Sequence, residues 1–175
     1  TAALRRPPES PENHEDYFLR GVAQFHAGRP ELAALDFDRA LKFDPKRHSY
    51  VLWEYLALRR LGRDATQALE QRATKLDLTQ WPGRVVLFYQ GKIAAAAVWP
   101  RIASEKVDHK PPDLMFYLGH WHLMRGERAQ AVRSFREALR LRSQWNGPYP
   151  DADGWWRAEV KAARVELLNM GERVD

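Results

Sequence analysis

Two stretches of this chain carry the same kinds of residue at the same offsets. In Tyr17–Pro45, Gly21 is followed by Gly28, Ala33, Phe37, Ala40 and Leu41; in Met115–Leu141, Gly119 is followed by Gly126, Ala131, Phe135, Ala138 and Leu139. The spacings of 7, 12, 16, 19 and 20 are identical in the two copies. Small and large residues three to four positions apart line one face of a helix. Split by a glycine, they describe two antiparallel helices in close contact. A chain with two such units is constrained to a helical fold before any other property is weighed.

The 175 residues suffice for one domain with a real core. Hydrophobic residues make up 45% and charged residues 29%, the balance of a globular chain and not of a disordered one. There is no cysteine, which excludes disulfides, thiol catalysis and cysteine-based zinc sites. The net charge of +5 comes with arginines at helical spacings beside Glu or Asp, including Arg133, Arg136 and Arg140. That pattern reads as a mixed, solvated helix face, not a nucleic-acid patch. The longest apolar run, Ile93–Trp99, is too short to span a bilayer. The opening TAALRRPPESPE lacks the apolar segment of a signal peptide.

Residues 1–12 hold three prolines and are expected to form a flexible or extended lead-in. The first helix is expected from Asn13, with Tyr17, Phe18, Gly21, Val22 and Phe25 on its apolar face and Gly28 at its end. Pro30 opens the second helix in its first turn, where a missing N–H costs nothing. Leu32, Ala33, Leu35, Phe37, Ala40 and Leu41 are expected to face inward.

A second unit follows in phase, with Ala57 and Gly62 each 34 residues after Ala23 and Gly28. Its helices, Tyr50–Leu61 and Asp64–Leu76, are degenerate: no phenylalanine matches Phe37, and Tyr55 replaces the glycine, which should hold the pair farther apart. Trp81–Pro82 opens a short segment, Gly83–Gln90, whose near-continuous apolar run could be a strand by composition. With no second strand to pair with, a buried helix is preferred. Ile93–Ser104 is expected to form another helix, bent or cut at Pro100, and Glu105–Pro112 a loop. The third unit, Asp113–Leu141, is the sharpest, and a final helix, Trp155–Met170, is placed to cover the last apolar face.

The repeated spacing, with its 34-residue period, resembles the tetratricopeptide (TPR) repeat. The fold expected is therefore all-α: a short TPR-like superhelix of helical hairpins with irregular middle helices and a C-terminal capping helix. Its parts are a lead-in over 1–12, a TPR over 14–47, a degenerate one over 48–80, insert helices over 81–110, a TPR over 112–143 and a cap over 152–171. Three strings narrow the resemblance: the Trp81–Ile93 pattern W-x-x-x-V-V-x-F-Y-x-G-K-I, the LWEYLA of Leu52–Ala57 and the FYLG of Phe116–Gly119. With the order of units, they are similar to the C-terminal two-thirds of the bacterial NlpI-type TPR lipoproteins. The resemblance covers about residues 14–171. That family's additional N-terminal repeats and lipid-bearing cysteine are not among these residues. The resemblance implies a non-catalytic adaptor of the Gram-negative envelope that holds a protease and peptidoglycan hydrolases together. Membrane attachment is implied only through lipidation upstream of this chain, and cytoplasm is the alternative location.

In a TPR the first helix of each unit lines a concave groove. By spacing, the groove residues are Phe18, Val22, Phe25 and His26 in the first unit and Leu52, Leu56, Arg59 and Arg60 in the second. In the third they are Phe116, His120, Leu123 and Met124. This surface, apolar with an aromatic floor and a basic edge, suits a helix or an extended hydrophobic peptide, with Arg59 and Arg60 available to an acidic group. The alternative is that the chain's own middle helices fill it. Phe18 and Val22 stand where a chaperone-binding carboxylate clamp needs Lys and Asn.

No catalytic set, cofactor or metal is expected. His120 and His122 are two apart on a helix and diverge, so they cannot ligate one metal together. Asp36 and Asp38 have Arg39 and Lys42 as neighbours on the convex helix, and neither GxxxxGK nor GxSxG occurs. The expected function is thus a protein–protein adaptor without chemistry of its own. The alternative is a structural or regulatory domain that forms a homodimer or larger homo-oligomer through its solenoid ends.

Overall fold

The computed structural model describes residues 14–79, 81–98, 112–144 and 156–174. The expected lead-in over residues 1–12 and most of the loop before Asp113 lie outside them, as does the loop before the last helix. The described residues form helices joined by turns and short loops and contain no strand. In chain order the helices are α1 (His14–His26), α2 (Pro30–Phe43), α3 (His48–Arg60), α4 (Thr66–Ala73), α5 (Gly83–Tyr89), α6 (Pro112–Met124), α7 (Arg128–Gln144) and α8 (Trp156–Asn169). Gly83–Tyr89 is a helix and not a strand, as preferred from the sequence.

The two repeated stretches form the two tightest helical hairpins, α1–α2 and α6–α7. Each turn is closed in the same way. Gly28 and Gly126 adopt φ of 72° and 73°, conformations open to glycine at no steric cost. The residue after each donates back five positions, Arg29 to Gln24 at 2.9 Å and Glu127 to His122 at 2.9 Å, which satisfies a terminal carbonyl. Inside each hairpin a glycine faces a phenylalanine. A Cβ on Gly21 would lie 2.6 Å from Phe37 Cε1, and one on Gly119 would lie 2.6 Å from Phe135 Cδ1. The small residue is therefore what allows the helices to approach.

The degenerate unit departs from this pattern for a visible reason. α3 and α4 touch far less than either hairpin. Tyr55, in the glycine's place, turns to α5 and stacks on Tyr89 with ring centroids 5.0 Å apart. What joins α4 to its neighbours is an ion network: Arg72 donates to both oxygens of Glu54, at 2.8 and 3.0 Å, and to Asp38 of α2 at 2.7 Å.

The core centres on Trp53 of α3, which is fully buried. Phe25, Phe37 and Phe18 surround it from the first hairpin at centroid distances of 5.4, 6.0 and 6.2 Å, and Phe116 reaches it from α6 at 5.3 Å. Aromatic pairs at such distances contribute about 0.5–1.5 kcal/mol each beyond the area they bury. Trp53 thus joins the two hairpins through one side chain. Trp81 fastens the middle segment by donating to Asp113 Oδ2 at 2.9 Å, at the start of α6.

Two expectations need correction. Leu32 and Leu35 do not face inward; they are 46% and 56% exposed. The buried line of α2 is Ala33, Asp36, Phe37, Ala40 and Leu41, because Asp36 turns in to meet Arg20 at 2.6 and 2.7 Å. The helix expected over Ile93–Ser104 is not formed in its described part, where a single 3₁₀ turn, Ala95–Ala97, stands instead. That turn is tied to α5 by Arg84, which donates to the carbonyls of Ala97 and Val98.

Candidate functional site

α8 lies against α1, α3 and α6, while α5 packs on α3 and α6 through Tyr55–Tyr89 and Phe88–Trp121. α8 packs on α7 and α6 and also touches α1. Its inward line of Val160, Ala163 and Leu167 follows helical spacing, with Glu159 and Glu166 beside it, seven residues or about two turns apart. Both glutamates are buried, at 2% and 3% exposure, and both meet donors from the hairpins. Glu159 Oε1 accepts from Trp53 Nε1 and from the Tyr117 hydroxyl, each at 2.9 Å. Glu166 Oε1 accepts from Arg60 Nη2 at 2.7 Å.

The electrostatics of this seam follow from its burial. Desolvation, with the nearby Asp113 charge adding to it, pushes the Glu159 carboxyl up to about 8. His26 and His120 flank Glu166, each with a ring nitrogen 3.9 Å from Oε1. Burial, followed by the Arg60 charge, brings His26 down to about 4 and places His120 well below its ordinary value. Both rings are therefore neutral near pH 7, and the cation facing Glu166 is Arg60. Arg60 is also held by Phe25, whose ring lies 3.8 Å below the guanidinium and whose carbonyl accepts at 3.3 Å.

The twelve residues assigned to a groove from spacing separate into two sets. Phe18, Phe25, Leu52 and Phe116 are wholly buried core residues, and Val22 and His26 are partly buried beside them. Phe18 and Phe116 pack against Phe37 and Phe135 of their own hairpins at 5.7 and 6.2 Å, so these positions are core and not an open aromatic floor. The other six, Leu56, Arg59, Arg60, His120, Leu123 and Met124, line an open cleft of about 190 Å³ between α3 and α6. Leu56, Leu123 and Met124 are its apolar lining, Arg59, Arg60 and His120 its polar lining, and Arg60 is engaged by α8.

Arg59 is not engaged. It makes no hydrogen bond or ion pair with any described residue, and its Nε is buried without a partner. Asp64, whose carboxyl it helps hold low, lies beyond ion-pair distance. His120 Nε2, in the same lining, is likewise buried without a hydrogen bond. A volume of about 190 Å³ falls below the roughly 300–1,000 Å³ of sites that enclose a cofactor or drug-sized ligand. The cleft is sized for one or two side chains.

The remaining candidates are structural. The His120 and His122 rings have different surroundings: His122 Nδ1 meets Glu127 Oε2 at 2.7 Å, while His120 lies against Phe116 and Phe135. Among the described residues no group of three His, Asp or Glu side chains is placed to hold a metal ion. No helix among them is long and apolar enough to cross a membrane.

Glu159, Glu166, Trp53 and Tyr117 were not anticipated as a site. The signal was present in α8, where two acids seven apart sit directly before Val160 and Leu167 on the apolar face. Acids that close to a buried line must find donors, and only the assembled fold shows which. No family model matches the chain.

Proposed function

We propose that this chain is a TPR-type adaptor that binds a segment of a partner protein and carries out no chemistry itself. The observation that carries this reading is the α3/α6 cleft, in which an unpaired arginine stands beside apolar side chains at six of the positions assigned to partner binding. The glycine–phenylalanine contacts at matching positions of the two hairpins support the repeat assignment. On the family resemblance, the partner is an envelope protease or a peptidoglycan hydrolase, held by contacts to protein and not to nucleic acid.

The test is capture from an envelope extract by the immobilised chain. Leu123→Glu with Met124→Glu places charge in the cleft walls at two partly buried positions on the edge of the core. Specific capture is expected to fall at least tenfold while helicity is unchanged. Capture that persists would remove the cleft as the partner site.

A second reading has its own observation. Leu19, Leu32 and Leu35 on the first hairpin are 46–56% exposed, an apolar surface suited to a second copy. Light scattering across a concentration series tests it: a dimer that Leu35→Glu dissociates would favour homo-oligomerisation through that end.

A further inference from the structure

The α3/α6 cleft has a chemistry that can be read from how the chain satisfies the arginine next to it. Arg59 and Arg60 are consecutive at the end of α3, and both line the cleft. Arg60 is satisfied by Glu166, whose neighbour Leu167 is fully buried. One arginine of the pair thus receives an acidic side chain from a helix. The other lines the same cleft beside Leu56, Leu123 and Met124, and the one carboxylate that feels its charge, Asp64, forms no ion pair with it.

Resting on the adaptor reading above, we propose that the cleft receives a glutamate–leucine pair, or its close equivalent, from a partner protein. The carboxylate pairs with Arg59, and the apolar side chain enters between α3 and α6. Charge complementarity selects the acid. The Arg59 guanidinium lines the cleft and forms no ion pair with a described residue, so an arriving carboxylate gains a charge-assisted hydrogen bond with it. Size selects one such pair, since about 190 Å³ holds little more. α8 restricts the approach, because Arg60 and His120 at the cleft's edge already face Glu166. The partner therefore inserts side chains from outside, and a helix cannot pass through the groove.

The probe is the blocked dipeptide N-acetyl-Glu-Leu-amide, titrated into the isotopically labelled full chain. Its controls are N-acetyl-Gln-Leu-amide, which lacks the charge, and N-acetyl-leucine, which offers a chain-end carboxylate instead. The readouts are the Arg59 Nε–H resonance and the methyl resonances of Leu56, Leu123 and Met124. The glutamate probe is expected to shift all of them and to bind at least ten times more tightly than the glutamine probe. Arg59→Gln is expected to abolish that difference, and Arg59→Lys to restore part of it, with circular dichroism confirming that both variants are folded. Equal affinity for the two blocked probes, no shift with either, or a preference retained in Arg59→Gln overturns the proposal. So does tighter binding of N-acetyl-leucine, which would make a chain terminus the occupant. Loss of partner capture in the cleft variant, together with equal probe affinities, would leave the adaptor reading standing and overturn this one alone.

Discussion

Arg60 and Glu166 are 106 residues apart in sequence and 2.7 Å apart in the fold. The pair closes the inner face of the helical stack, with the cation resting on the Phe25 ring and the carboxylate between two neutral histidines. Removing Arg60 would leave Glu166 buried without its cation, whereas removing Glu166 leaves a guanidinium that water still reaches. Glu166→Ala is expected to cost about 2–3 kcal/mol, less than the roughly 3–5 kcal/mol of a fully enclosed pair because water reaches Arg60. Urea denaturation followed by circular dichroism measures it. A loss under about 0.5 kcal/mol, the range of an ordinary surface change, would show that α8 is not held through this contact.

Three buried groups, His26, His120 and Glu159, pull stability in opposite directions as pH changes. For His26 the folded value of about 4 lies below the unfolded 6.5, so its stabilising contribution is complete above pH 6.5 and is lost as pH falls toward 4. His120 acts in the same direction. For Glu159 the folded value of about 8 lies above the unfolded 4.5, so its contribution is complete below pH 4.5 and is lost as pH rises toward 8. Between 4.5 and 6.5 the two histidines outweigh the one glutamate; above 6.5 only Glu159 changes. Stability from these groups is therefore expected to peak near pH 6.5. Glu159→Gln should flatten the alkaline limb and His26→Phe the acid limb in a series of melting curves.

The hairpin glycines should respond opposite to an exposed helical glycine. At an open helix site, Gly→Ala stabilises by about 0.5–1 kcal/mol through backbone entropy. At Gly21 the added methyl would meet Phe37 at 2.6 Å. Gly21→Ala and Gly119→Ala are expected to destabilise by about 1–3 kcal/mol through overpacking. A double variant with Phe37→Leu should recover part of the Gly21→Ala loss, and a neutral Gly21→Ala would refute the close-approach explanation.

Arg72 is the link between the degenerate unit and the first hairpin. Without it Glu54, 7% exposed, keeps a desolvated carboxyl with no cationic partner. Arg72→Met preserves the stem and removes the charge, at an expected cost of about 1–3 kcal/mol. Amide hydrogen exchange should show the loss first in α4, which has few other contacts.

The two hairpins were legible because a glycine, a turn and a phenylalanine at fixed offsets are local instructions. Every residue needed to form α1–α2 lies within one short segment, and the same holds for α6–α7. α2 was read less well. Leu32 and Leu35 look like core residues by hydrophobicity, and what displaces them is Asp36, drawn inward by an arginine on another helix. The groove was half legible. Six of the residues assigned by spacing meet at one cleft, but spacing along one helix carries no information about a second helix laid across it.

The repeated glycine-to-phenylalanine register, the helical class and the inward faces of the first helices are properties of the sequence alone, since each depends on periodicity and short-range sterics. Tertiary structure decided that α8 lies over that face, that Trp53 joins the hairpins, and that Arg60 is satisfied while Arg59 is left to the cleft. Those outcomes depend on burial: two glutamates on α8 had to find donors once removed from water. The donors came from α3, 106 residues away, and from α6, 42 residues away, at distances only the folded chain specifies.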